Sequence, residues 1–455
     1  MEMVLEFLRD VLSQPALLIG IMSCIGLIAL KRPFHKVMTG TLKPILGYLM
    51  LAAGAGVIVN NLDPLGKMIE HGFHITGVVP NNEAIVAVAQ KVLGVETMSI
   101  LVVGLLMNLC IARFTKFKYV FLTGHHSLFM ACLMSAVLGT AGLSGMELIL
   151  VGGFLMGAWS AISPAIGQSY TSKVTDGDEI AIGHFGSLGY YLSAWVAKYV
   201  GKADDSTEDI EIPEKWGFLR DSTLSTALTM IVFYLIAAFA AGSEFVATLS
   251  GDMSPYLYAV MSAMNFAVGV TIVYSGVRMI LGDLIPAFQG IATKIIPNAI
   301  PAVDCAVFFT YAPTAVVLGF ISSFIGGIIG MLILGAVGGV LIIPGLVPHF
   351  FCGATAGIYG NATGGRRGAA VGAFLNGLAI TFLPAMALPV LGQLGFQNTT
   401  FGDADFAVMG LVLGNAYEWV GMAGIYGIVA IAALVLIIPN FIKTKGKVIN
   451  YVEEE

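Results

Sequence analysis

Three short stretches carry the side chains that could do chemistry in this chain. His125 and His126 sit in Phe121-Leu-Thr-Gly-His-His-Ser-Leu-Phe129, His184 ends Ile180-Ala-Ile-Gly-His184, and Asp304 lies in Ile300-Pro-Ala-Val-Asp-Cys305. All are embedded in apolar residues. An ionisable side chain at membrane depth costs about 2.5–3.5 kcal/mol on insertion scales, so by default it lines a polar cavity. The competing reading is a helix-end residue at the headgroup level, and for His126 both readings stay open. His35, His71 and His74 fall in polar connectors and carry no such expectation. Asp304 has a counterpart in the first half of the chain, Asn82 in Pro80-Asn-Asn-Glu83. Thr123-Gly124 has one in the second half, Pro344-Gly345, at almost the same separation. Asp and Asn side chains bond several hydroxyls at once, which suits a sugar-like solute. No P-loop, catalytic triad or metal-ligand spacing is present, and Gly364-Gly-Arg-Arg367 reads as a basic cytoplasmic turn rather than a phosphate cradle.

The elements that must position these residues are membrane helices. Charged residues are 11% of the 455, apolar residues 57%, and glycine contributes 56. Soluble domains carry about a quarter charged residues, so a soluble enzyme is excluded. Stretches such as Ala315–Ile343 and Leu224–Leu249 are long enough to cross about 30 Å of hydrocarbon. The expectation is an all-α polytopic membrane protein of about 11 transmembrane helices. Glu2, Glu6 and Asp10 stand where a cleaved signal would need basic residues. Cys24, Cys110, Cys132, Cys305 and Cys352 read as small apolar residues without metal spacing. No basic patch with interleaved aromatics suggests nucleic acid, and no cofactor is implied.

A duplication organises the chain. Gly47, Gly54, Leu62 and Pro64 recur as Gly269, Gly276, Leu284 and Pro286, all four at one constant offset, which also relates Asn82 to Asp304. A second pair, Asp176-x-Asp178-x4-Gly183 and Asp403-x-Asp405-x4-Gly410, follows at a slightly larger offset. Positive charge locates the cytoplasm: Lys31, Arg32 and Lys36; Arg113, Lys116 and Lys118; Arg366 and Arg367; and Lys443, Lys445 and Lys447. These place the amino terminus outside and the carboxyl terminus in the cytoplasm, with Lys67 and Lys91 in an outer loop as the exception. The repeated segments are then about five spans apart, so the repeats should be inverted, with a binding site at mid-membrane where broken helices expose backbone. The first repeat is residues 1–221, with a re-entrant hairpin at 176–201 and an acidic cytoplasmic loop at 202–221. The second is 222–455, with a hairpin near 403–420.

Three further sets of residues resemble one family from end to end: Val174-Thr-Asp-Gly177 with Ile182-Gly-His184; Ala302-Val-Asp-Cys-Ala306 with Tyr311-Ala-Pro313 and Ala315-Val-Val317; and Ile342-Ile-Pro-Gly345 with Pro348 and Ala354-Thr355. The chain resembles the ascorbate-type membrane component (EIIC) of the bacterial phosphoenolpyruvate-dependent phosphotransferase system. That resemblance implies a homodimeric inner-membrane transporter with a core and a dimerising domain, in which the core moves as a rigid body. It also implies partners: a cytoplasmic EIIB that phosphorylates the solute from a phosphocysteine and an EIIA that charges it, so this subunit is not itself the enzyme. The family's substrate site falls on Asn82, Glu83, Thr123, Gly124, His125, His184, Asp304 and Gly345. Where the ascorbate transporter has a serine and two glutamines, this chain has Ala55, Phe129 and Phe185. The alternatives from other classes are an ion-coupled secondary transporter, with a proton on His125, Glu83 or Asp304, and a channel.

Overall fold

The computed structural model describes residues 11, 14–74, 77–80, 82–177, 179–210, 222–392 and 399–441. Glu2, Glu6, Asp10, Asp178, Glu211, Glu214, the tail lysines and the side chains of Glu83 and Lys91 lie outside the described residues. The chain is α-helical and multi-pass. Among the described residues, seven helices are long and apolar enough to cross a membrane, or eight if a pair bent by 117° at residue 242 counts as one span. The expected count of about 11 is larger, and the apolar stretches behind it include helices of 15 and 17 residues, short at 1.5 Å per residue for the whole hydrocarbon.

Two 40-residue helices dominate one bundle: α2 (Phe34–Phe73) and α9 (Pro255–Lys294). Around them pack α1 (Pro15–Ala29) and α7 (Ser222–Ala241), which continues past its bend into α8 (Ser243–Ser250). The duplicated glycines explain the bundle. A Cβ on Gly276 would lie 2.6 Å from the Gly47 carbonyl oxygen, and one on Gly54 would lie 2.7 Å from that of Gly269. The pairing of 47 with 276 and 54 with 269 makes the crossing antiparallel, with backbone against backbone. Small residues permit this approach, and van der Waals packing then holds helices that gain nothing from water exclusion in lipid. Pro64 and Pro286, which close the duplicated pattern, both lie inside continuous helices and do not break them. A proline removes one intrahelical hydrogen bond, a loss that packed membrane helices tolerate. Lys67 lies in α2 rather than a loop, 2.8 Å from Asp63 one turn back.

The remaining helices are α3 (Asn82–Phe114), α4 (Gly124–Thr140), α5 (Gly145–Thr175), α6 (Ser187–Val200), α10 (Pro313–Ala336), α11 (Leu346–Gly392), α12 (Ala404–Val420) and α13 (Met422–Phe441). One apolar core joins α3, α4 and α5 to α12 and α13. Another runs from the α2–α9 bundle through α6, α10 and α11. Helix α11 is two helices joined at Gly364 and Gly365, where φ is −143° and 59°. A Cβ on Gly365 would fall 2.3 Å from the Asp205 carbonyl oxygen, so only glycine fits there. The Gly-Gly-Arg-Arg segment expected as a free basic turn is thus clamped: Arg366 donates its backbone N–H to Asp205 O (2.8 Å) and pairs with the Asp205 carboxylate (2.9 Å). The acidic segment 202–210 packs further along. Glu208 accepts from Thr314 N and Ala315 N, satisfying the free amides at the start of α10.

Two very short parallel sheets tie the halves of the chain together. Strand β4 (Ile300–Val303) runs between β2 (Tyr119–Phe121) and β3 (Ala181–Ile182). Strand β1 (Val79–Pro80) pairs with β5 (Thr399–Thr400), and Val78 bridges to Ile342 on its other side. In each sheet a strand from one half is held by segments of the other. The Asp176 and Asp403 motifs, matched in the sequence, occupy different places: Asp176 is the left-handed cap ending α5, whereas Asp403 precedes the first residue of α12. Residues 176–201 hold β3 and the single helix α6.

Candidate functional site

Every strand end delivers a candidate residue. After β1 comes Asn82, the first residue of α3. After β2 come Thr123, Gly124 and His125 at the start of α4. After β4, Asp304 caps the 3-10 turn Cys305–Thr310, its Oδ1 accepting from Ala306 N at 3.1 Å. His184 follows β3 ahead of α6, Gly345 follows the Ile342 bridge ahead of α11, and Asp403 follows β5 ahead of α12. A short strand consumes the chain's hydrogen bonds in one direction; the helix that follows leaves its first amides unpaired and carries partial positive charge there. Six such starts are grouped here; Asp304 already caps the one at Ala306 N and Asp405 the one at Leu188 N, and the remaining starts make a setting suited to oxygen-rich or anionic ligands.

Asn82, His125, His184, Asp304, Gly345 and Asp403 line a cavity of about 760 Å³. Its two walls differ in chemistry. One is formed by Asn82, His125, His126, His184, Asp304 and Asp403. The other is a face of α2, where Leu51, Ala52, Ala55, Val59 and Leu62 recur at helical spacing. Tyr48 stands at one end of that face, and Asp63, Lys67 and Glu70 at the other. Phe129, one turn after His125, adds a further apolar surface, with ring centroids 5.8 Å apart.

The polar wall is internally bonded. Asn82 donates to Asp403 Oδ2 at 2.5 Å and accepts from Gly402 N at 2.9 Å. Asp403 Oδ1 accepts from Cys352 Sγ at 2.8 Å. His184 Nδ1 accepts from Gly186 N (3.2 Å) and from the Tyr190 hydroxyl (2.8 Å), and His126 Nδ1 accepts from Phe185 N (3.3 Å). The two rings lie 3.8 Å apart. Below them Asp405, fully buried, accepts from Ser187 Oγ, Leu188 N and Trp159 Nε1, joining α12 to the start of α6.

Two sets, His126 with His184 and Asp403, and His184 with Asp304 and Cys305, have potential metal-ligand atoms within 4.8 Å of one another. The hydrogen bonds make the two imidazoles poor ligands. A backbone N–H can only donate, so each neutral ring that accepts at Nδ1 carries its proton on Nε2 and has no lone pair left for an ion. Each ring then has its Nε2–H as a donor.

Of the residues singled out in the sequence, Asn82, His125, His184, Asp304, Gly345, Ala55 and Phe129 line the cavity. Thr123, Gly124 and Phe185 do not. Thr123 is buried behind the start of α4, and its hydroxyl has no hydrogen-bond partner among the described residues. Phe185 is buried and stacks on Phe121 at 4.6 Å, so it supports His126 from behind. His126, for which both readings were open, lines the cavity too. So do Asp403, Cys305 and Tyr48, which were not expected in the site. Tyr48 could have been found: it lies two helical turns before Ala55, on the same face.

The chain matches the model of a family described as the PTS system sugar-specific permease component (EIIC-GAT) over residues 10–405. It belongs to that family. An ascorbate-specific PTS system EIIC component from Mycoplasma pneumoniae is 27% identical to it over an alignment 474 residues long, covering 90% of this chain and 70% of that protein. The family implied by the sequence resemblance is therefore the one found. This EIIC component is a transport subunit that works with EIIA and EIIB partners on sugar substrates, and phosphoryl transfer takes place on those partners. The ion-coupled and channel readings are not favoured.

Proposed function

We propose that the cavity is the solute site and that the solute is ascorbate or a related sugar-like compound, carried across the bacterial inner membrane for phosphorylation by a separate EIIB. The observation that carries this reading is the convergence of five strand ends and the Ile342 bridge on one cavity, with Asn82, His125 and Gly345 drawn from different halves beside His184 and Asp304. Glu83 belongs to the site by its place beside Asn82. Thr123 and Gly124 contribute backbone from behind His125, Ala55 and Phe129 set the cavity's apolar character, and Phe185 backs His126. Helix starts supply donors for hydroxyl or enolate oxygens, and Asp304 supplies an acceptor. The ascorbate-specific name of the Mycoplasma relative supports the same solute class.

The halves 1–221 and 222–455 are inverted repeats about the cavity. The antiparallel contact of the duplicated glycines and the exchanged strands support this. Segments 176–201 and 403–420 serve as half-membrane elements of about eleven crossings, and residues 202–221 form a cytoplasmic loop. The amino terminus lies outside and the carboxyl terminus in the cytoplasm. The α2–α9 bundle forms the scaffold of a homodimer, and the remaining helices form a core that moves with the solute. EIIB donates the phosphoryl group from a phosphocysteine.

Uptake of labelled L-ascorbate, pentitols and hexitols by cells with and without EIIB tests the proposal. The expected result is intracellular phosphate ester only when EIIB with its cysteine is present. Free solute accumulating on a proton gradient overturns it.

A further inference from the structure

Tyr48 is the one hydroxyl on an otherwise apolar stretch of α2 that faces the cavity, among residues 48 to 62. Its Oη lies 3.2 Å from His125 Nδ1, a contact between the α2–α9 bundle and the start of α4. On the far side of the same ring, His125 Nε2 lies 3.4 Å from Asp304 Oδ2. The three groups form a line from α2, through α4, to the cap that follows β4. Tyr48 is 6% exposed and Asp304 7%, whereas the His125 side chain between them remains 38% exposed. His125 is thus the member a ligand can reach, and both of its ring nitrogens are already committed.

We propose that Tyr48 is a positioning residue of the solute site: its hydroxyl fixes the tautomer and orientation of His125, and through it the placement of the Asp304 carboxylate. A carboxylate accepts and cannot donate, so the proton of the neutral ring belongs on Nε2, facing Asp304. Nδ1 then offers a lone pair, and the Tyr48 O–H donates to it. Without that donor, the alternative tautomer turns a lone pair toward the carboxylate, and the ring is free to rotate about its side-chain torsions. The hydroxyl comes from a different bundle than the imidazole, so the bond also registers how the two bundles sit. If the core carries the solute past α2, as the transport reading holds, this bond must break in each cycle. The rest of the facing wall, from Leu51 to Leu62, offers side chains with no hydrogen bonds to give up.

The test has one arm that needs no solute. In protein labelled with 15N-histidine and embedded in lipid bilayers, ring-nitrogen spectra assign His125 by its loss in His125→Gln. The expected spectrum is a neutral ring protonated on Nε2. In Tyr48→Phe, which keeps the aromatic ring and its packing, the Nδ1 signal moves and the second tautomer appears. Unchanged His125 signals in Tyr48→Phe overturn the proposal. The second arm titrates L-ascorbate into wild type, Tyr48→Phe, Asp304→Asn and the double variant. Loss of one neutral hydrogen bond corresponds to about two- to tenfold weaker binding for Tyr48→Phe. Because Tyr48 acts through His125 and the Asp304 carboxylate behind it, the two losses should be less than additive in the double variant; strictly additive losses overturn that route. If wild-type protein does not bind ascorbate, the solute assignment falls, and the ring-nitrogen spectra alone decide the role of Tyr48.

Discussion

The α2–α9 bundle and the strand-ended core meet at the cavity with opposite chemistry. The bundle is held by glycine backbones pressed together; between Tyr48 at one end and Asp63, Lys67 and Glu70 at the other, it shows the cavity only leucine, alanine and valine. The core shows it three histidines, two aspartates and an asparagine, each placed by a strand end or a helix start. Directional bonds are therefore concentrated on one side and shape on the other. A solute held by its hydroxyls to one wall can move with that wall at little cost in bonds to the other. A cavity polar on both sides would have to break bonds on one wall at every step. In this chain the tolerance for change should follow the same division, with volume decisive on the bundle and hydrogen bonding decisive in the core.

The largest effect should come from adding volume where the helices touch. Gly276→Ala places a methyl 2.6 Å from the Gly47 carbonyl oxygen and from Leu51 N, atoms of a backbone that cannot turn aside. Overpacking of this kind costs about 1–3 kcal/mol, and the upper end is expected here. Gly56→Ala, on the same helix as Gly47, meets nothing within 4 Å and should be neutral or slightly stabilising. Thermal unfolding of the two variants in detergent compares them directly. Equal melting temperatures would mean that the glycine pairs do not hold the bundle.

Much of this division is legible in the sequence, but unevenly. The repeat of Gly47 and Gly54 as Gly269 and Gly276 is plain; that its two copies face each other is a tertiary fact, set by a helix pairing that no local pattern encodes. The match of the Asp176 and Asp403 motifs misleads because a pattern of two Asp and one Gly is cheap in this composition. The helices that follow those segments begin at Ser187 and Ala404, a separation that differs from that of the motifs themselves. Asp304 and Asn82 are legible because each closely follows a Pro in an apolar run. Asp403, Asn82's partner, is hidden 321 residues away. Pro64 and Pro286 look like helix ends because proline breaks helices in water, a rule that weakens where neighbours satisfy the freed carbonyl.

On the polar wall the expected loss is in binding rather than folding. Asp304→Asn keeps the shape and one acceptor oxygen, so the cap to Ala306 N can survive while the charge facing His125 is lost. A charge-assisted hydrogen bond is worth about 1.5–3 kcal/mol, or roughly ten- to a hundredfold in affinity. Calorimetric titration of L-ascorbate into a variant that melts like wild type should show at least a tenfold loss. His184→Ala should lose less, since a neutral imidazole makes weaker bonds. Unchanged affinity in Asp304→Asn would make this aspartate a cap alone.

The smallest effect, and the sharpest probe of the apolar wall, is Ala55→Ser. Ala55 stands on the cavity face of α2 between Ala52 and Val59, where the ascorbate transporter resembled by this chain has a serine. The substitution adds one oxygen to a small residue and leaves the helix packing alone, so stability should hold within about 0.5 kcal/mol. If the solute presents a hydroxyl to this wall, the added serine offers a bond worth about 0.5–1.5 kcal/mol, and L-ascorbate should bind about two- to tenfold more tightly. If the core moves past α2 as proposed, the gain should be accompanied by slower release, because the core would then have to break a bond to that wall. Weaker ascorbate binding in Ala55→Ser would instead mean that the solute turns carbon–hydrogen surface toward α2, and that desolvating a new hydroxyl there costs more than it returns. The sign of this one change reads which face of the solute the scaffold sees.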